Sequence, residues 1–123
     1  MSTPRMAWAH VTVDCVDPRR VAAFWGRLLD LTPVERADGW FVLGPTAAGG
    51  PMLYFQPVDE PKRGKARLHL DLWVDDLDAA VARVVSLGGA DTAERHEHAN
   101  GTVAVMTDPE TTEFCLITFP VTR

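Results

Sequence analysis

The octet HLDLWVDD, His69 to Asp76, repeats the plan of an earlier one, HVTVDCVD, His10 to Asp17. In the first copy Val11, Val13 and Cys15 alternate with Thr12 and Asp14, the period-two pattern of a strand with one buried face. In the second, Leu68, Leu70, Leu72 and Val74 alternate with His69, Asp71 and Trp73. Both runs lead into helices. Asp17 caps the first, with Pro18 at its opening position, and Val21, Phe24, Trp25, Leu28 and Leu29 form its apolar stripe. Asp75 or Asp76 caps the second, whose stripe is Leu77, Val81, Val84, Val85 and Leu87 and which stops at Gly88-Gly89.

Each helix is followed by three short strand-like runs. The first set covers about Thr32 to Arg36, Trp40 to Leu43 and Met52 to Gln56, with Asp38-Gly39 and GPTAAGGP between them. The second covers about Asp91 to Glu97, Thr102 to Met106 and Glu113 to Phe119, with Asn100-Gly101 and Asp108-Pro109 as turns. The pattern is therefore β-α-β-β-β twice, in modules of about residues 6–57 and 66–119. With 123 residues the chain has room for one core, so the two modules share it as a single domain.

Composition excludes several classes of function. The apolar runs are too short for a membrane span and MSTPRMAWAH lacks the apolar region of an export signal, so a cytoplasmic protein is expected. Cys15 and Cys115 are too few for a disulfide framework. A net charge of −5 argues against nucleic acid as a partner. PKRGKAR, Pro61 to Arg67, is a local exception, read either as a wet connection or as a steering patch beside a pocket. No nucleophile elbow, dinucleotide fingerprint or phosphate loop is present.

If each helix covers the aliphatic side of its module's first strand, the other side faces away. That side carries His10, Thr12 and Asp14 in one module and His69, Asp71 and Trp73 in the other. Two sheets turned toward each other would enclose these residues in one cavity. His10 and His69, with Asp14 and Asp71 to orient them or act as bases, are then the candidate acid-base groups. Trp8, Trp73, Phe55 and either Trp40 or Phe41 are the candidate aromatic walls, and Thr12 adds a polar contact. His96 and His98, beside the Asn-Gly turn, read as exposed hairpin-tip residues, and Cys15 as a small core hydrophobe.

The paired modules, each opened by a histidine, and the DP-x-x-x-x-F-x-L-I run of DPETTEFCLI resemble the vicinal oxygen chelate superfamily of glyoxalase I, bleomycin and fosfomycin resistance proteins and extradiol dioxygenases. FQPVDEPKRGKARLHLDLWVDDLDAAV is similar in style to the bacterial glyoxalase-like domains. The resemblance implies an α+β fold of two tandem βαβββ modules whose mixed, curved sheets enclose a cavity, and a homodimer. It also implies, for metal-using members, one ligand from the first and one from the last strand of each module. His10, His69 and Cys115 fall on three of these positions; the fourth falls near Leu53 to Phe55, where no carboxylate stands and Gln56 is the nearest polar side chain. Cys115 occupies a position usually held by glutamate, so the expected protein is a metal-independent binder of a flat or aromatic small molecule, acting by sequestration or acid-base chemistry. The alternative is a lyase, isomerase or dioxygenase holding zinc, nickel or iron on His10, His69 and Cys115.

Overall fold

The computed structural model describes residues 3–46, 49–98 and 101–119, with His98 described by its backbone alone. The Asn100 half of the predicted Asn-Gly turn and part of GPTAAGGP lie outside the described residues. Strand β1 (Val11–Cys15) leads to Asp17, whose carboxylate accepts the Arg20 amide at 3.2 Å and starts helix α1 (Pro18–Leu29). Three strands follow: β2 (Val34–Glu35), β3 (Phe41–Leu43) and β4 (Leu53–Pro57). The second module repeats the order with β5 (Asp71–Val74), α2 (Leu77–Ser86), β6 (Ala90–His98), β7 (Gly101–Thr107) and β8 (Glu113–Thr118). Asp76 is the second cap, accepting the Ala79 amide at 3.0 Å.

Among the described residues these strands form two four-stranded sheets, β1-β4-β3-β2 and β5-β8-β7-β6. In each, the first strand pairs parallel with the last of its module and the remaining pairings are antiparallel. The duplication is thus one of topology as well as sequence.

The aliphatic sides behave as their alternation predicts. Val11, Val13 and Cys15 pack on the core from β1, and Leu70, Leu72 and Val74 from the second module. Leu68 does not. The strand starts only at Asp71, leaving Leu68 on the linker, where it is 89% exposed with no helix above it.

One core serves both modules because their helix-covered sides meet. Phe24 and Trp25 of α1 lie against Phe114 of β8, with ring centroids 6.1 and 4.7 Å apart. Trp25 Nε1 donates to the buried Asp108 carboxylate at 3.4 Å, and Glu110 accepts the amides of Val16 and Asp17 at 2.7 and 2.6 Å. Contact at the turn after α2 is equally close. Gly88 takes φ +106 there, and a Cβ on Gly89 would sit 2.6 Å from the Thr107 carbonyl and 3.0 Å from Phe24.

This packing overturns the expected common hollow between His10 and His69. The bulkiest apolar groups, Phe24, Trp25 and Phe114, lie on the helix sides, so those sides coalesce and the two polar faces are left outside the core.

Candidate functional site

The outer face of the second sheet is built in rows set by strand register. Asp71, Cys115 and Val105 lie abreast, as do Trp73, Ile117, Val103 and His96. His69 and the Glu113–Thr107 pair add a third row at one end. Together with Lys65, Thr92 and Glu94, most of these residues line a cavity of about 650 Å³ with an apolar floor of Val103, Val105 and Ile117.

Its polar groups are engaged with one another. His69 Nδ1 lies 3.0 Å from Asp71 Oδ1 and 3.9 Å from Cys115 Sγ. A carboxylate on Nδ1 holds the tautomer that leaves Nε2 open to a ligand. Burial, then the negative charges of Asp71 and Glu94, push the Cys115 thiol up to about 11, so it is a neutral thiol at physiological pH. Burial also raises Glu113, but the Ala66 amide, its own amide and Lys62 at 3.1 Å outweigh this and hold its carboxyl below the usual range.

His96 reads in the sequence as a hairpin-tip residue, yet it lines this cavity, with Nε2 2.6 Å from Glu94. The i, i+2 spacing of the two residues was visible; the strand pairing that brings them to His69's cavity was not.

The first module's polar face lies outside this cavity. Thr12 pairs with Tyr54 and Asp14 with Gln56, so Tyr54 occupies the place in this module that Cys115 holds in the other. His10 stacks on Tyr54 with centroids 3.7 Å apart, Trp40 meets Tyr54 edge-on, and the Arg36 guanidinium lies over both rings. Phe55 is not a wall of either cavity. Its register with Val13 turns it to the helix side, where it is 0% exposed, and Gln56 reaches the polar face with no bulge. Neither Trp8, 81% exposed, nor Trp73, which stacks on Phe119 at 5.9 Å, lines either cavity.

Where the modules adjoin, a second cleft of about 610 Å³ runs between β1 and the linker. Thr12, Asp14 and His69 line it, with Lys62, Arg63 and Lys65 of the basic stretch, which therefore lies beside a pocket. Lys65, His69 and Glu113 border both cavities.

The expected metal set is altered. Among the described residues, His69 Nδ1, an Asp71 oxygen and Cys115 Sγ lie within 4.8 Å of one another, and His10, held on Tyr54 in the other sheet, is outside the group. A nitrogen, an oxygen and a sulfur donor so placed fit a zinc-type ion that keeps a fourth position open. The neutral Cys115 thiol would have to lose its proton to bind.

The model of the glyoxalase-like domain family matches residues 10–117, nearly the whole duplicated unit. The chain belongs to the glyoxalase-like domain family. No curated protein matches it. Among solved structures, a glyoxalase/bleomycin resistance protein/dioxygenase family enzyme from Burkholderia phytofirmans is 18% identical, with a TM-score of 0.74 over 89% of this chain and 96% of that one. The fosfomycin resistance protein FosX from Listeria monocytogenes is 13% identical, with a TM-score of 0.73 over 96% and 97%. A glyoxalase-related enzyme from Fulvimarina pelagi is 18% identical, with a TM-score of 0.72 over 95% and 91%. At these identities the likeness is one of fold, so the chemistry of this glyoxalase-like domain has to be argued from its own side chains.

Proposed function

We propose that this glyoxalase-like domain binds a flat, polar-edged small molecule on the outer face of its second module and moves a proton on it through His69. The supporting observation is the His69–Asp71 pair, 3.0 Å apart on the wall of a cavity of about 650 Å³ with an apolar floor. Val103, Val105 and Ile117 offer a planar ligand a dry surface, and His69 Nε2 meets its polar edge. His10 and Asp14, with Thr12, Trp40 and the His10–Tyr54 stack, form a second face that serves recognition in this reading. Trp73 lines neither cavity but is the register partner of Ile117 on the floor, and it reports on binding through its fluorescence in this reading; Trp8 does not.

A thermal-shift screen of small aromatic carbonyl and hydroxyl compounds tests the reading, because a ligand selective for the folded state raises its melting temperature. Hits are expected to lose their shift in His69→Ala and Asp71→Asn. Shifts that survive both substitutions would move the site elsewhere.

A second reading rests on the donor group. His69, Asp71 and Cys115 would hold a zinc, nickel or iron ion, which when bound supplies a Lewis acid that polarises a ligand oxygen. Elemental analysis of untagged protein decides between the two. About one equivalent of metal in the wild type, lost in Cys115→Ser, favours the ion; wild-type protein with none favours proton transfer alone. In either case we infer a cytoplasmic protein that forms a homodimer covering the exposed Trp8, Leu68 and Phe119; sedimentation measures the dimer mass.

A further inference from the structure

Strand β6 does not run evenly beside β7. Asp91 pairs with Met106 and Arg95 with Ala104, so β6 takes four steps where β7 takes two. The surplus bulges out at Thr92 to Glu94. Ala93 sits there at φ +68, a conformation that a residue with a Cβ rarely adopts.

The bulge is tied down from several directions. Asp91 accepts the Ala93 amide at 2.8 Å and both guanidinium nitrogens of Arg95 at 2.9 Å. Thr92 Oγ1 donates to the Val105 carbonyl at 2.7 Å and accepts the Glu94 amide at 3.1 Å. A strained backbone held by this many bonds sets the direction of a side chain, and the one it sets is Glu94. Glu94 lies 2.6 Å from His96 Nε2, on the same cavity as His69 and Asp71.

The cavity therefore carries two histidine-carboxylate pairs of opposite sequence order. His69 precedes its aspartate by two residues and turns Nδ1 to it; His96 follows its glutamate by two and turns Nε2 to it. Between the two pairs run the two central strands, which present Cys115, Val105 and Val103. Both side chains of the second pair are about half exposed, and the bulge is what brings Glu94 onto the cavity that His69 and Asp71 line.

We propose that Glu94 and His96 form a second acid-base pair, which acts on the opposite end of the ligand from His69 and Asp71. The proposal rests on the reading that His69 moves a proton, and it adds a substrate class: a planar molecule that gives up a proton at one edge while negative charge develops on a heteroatom at the other. His69 Nε2 takes the proton. His96 Nδ1, when the ring carries both protons, donates to the developing anion.

The elimination of 5-nitrobenzisoxazole has this balance. The base takes the ring C–H proton, that electron pair completes the nitrile, the N–O bond breaks, and the phenolate oxygen leaves with the negative charge. A flat neutral probe of this size suits the Val103, Val105 and Ile117 floor. Wild-type protein is expected to accelerate the reaction over an equal concentration of free imidazole. His69→Ala should remove the acceleration, and His96→Ala and Glu94→Gln should each lower kcat/KM about a hundredfold, the lower end of general acid-base effects. All three positions are exposed, so melting temperatures should stay near the wild-type value.

Unsubstituted benzisoxazole, whose phenolate leaves less readily, should lose more than the nitro compound in His96→Ala, which a purely structural role would not produce. If His96→Ala and Glu94→Gln turn over like wild type while His69→Ala is inactive, the second pair is overturned and the His69 reading stands. A wild-type protein no faster than imidazole, or an active His69→Ala, overturns both.

Discussion

Cys15 and Cys115 share a side chain but serve different surroundings. Cys115 faces the polar cavity, whereas Cys15 lies on the helix side of β1 and is 1% exposed. Burial, followed by the charges of Glu110, Asp108, Asp14 and Asp17, pushes the Cys15 thiol from the ordinary value near 9 up to about 12. Below pH 9 both folded and unfolded chains keep this proton and it contributes no pH dependence. Between 9 and 12 the unfolded chain releases the proton while the folded chain holds it, so stability falls as pH rises, by at most roughly 1.4 kcal/mol per pH unit for one group. Urea midpoints at pH 8 and 10.5 should therefore diverge in wild type, and Cys15→Ala should narrow the gap. An equal gap in both proteins would assign the alkaline loss to other groups.

The helices and strands are where sequence and structure agree most closely. Both caps, the Pro18 start and the Gly88-Gly89 stop stand where side-chain chemistry puts them, because a cap is decided by residues a few positions apart. Register is decided across strands, and there a single step separates Phe55, expected on the ligand side, from Tyr54, which is found there. The bulge at Thr92 to Glu94 was illegible for a sharper reason: neither Gly, Pro nor Asn marks it, and Ala93 carries no turn signal. That absence makes a prediction. Ala93→Gly should stabilise the protein by about 1 kcal/mol, since glycine meets no penalty at positive φ, and should leave the Asp91–Arg95 bidentate pair intact. Chemical denaturation measures the gain; a loss of stability would mean that the left-handed turn is imposed by something other than its hydrogen bonds.

At the scale of the whole molecule, the duplication was plain from the two octets, but which sides of the modules would meet was not. That choice depends on the summed apolar surface of residues far apart in sequence, Phe24 and Trp25 on one side and Phe114 on the other. Buried aromatics of this kind remove about 150–250 Å² each from water, which at about 25 cal/mol per Å² is roughly 4–6 kcal/mol per ring as an upper estimate. A module of about fifty residues rarely has more than a few kcal/mol of stability of its own. Removing one module should therefore unfold the other. A chain ending at residue 57 and one beginning at residue 66 are each expected to show collapsed amide dispersion and no cooperative melt. Mixed in equal amounts, they should recover a dispersed spectrum, because the Phe24, Trp25 and Phe114 contacts and the Glu110 bonds to Val16 and Asp17 need no covalent link between the modules. A cooperative transition in either half alone would mean that each sheet and its own helix suffice, and that the shared core joins two units already folded.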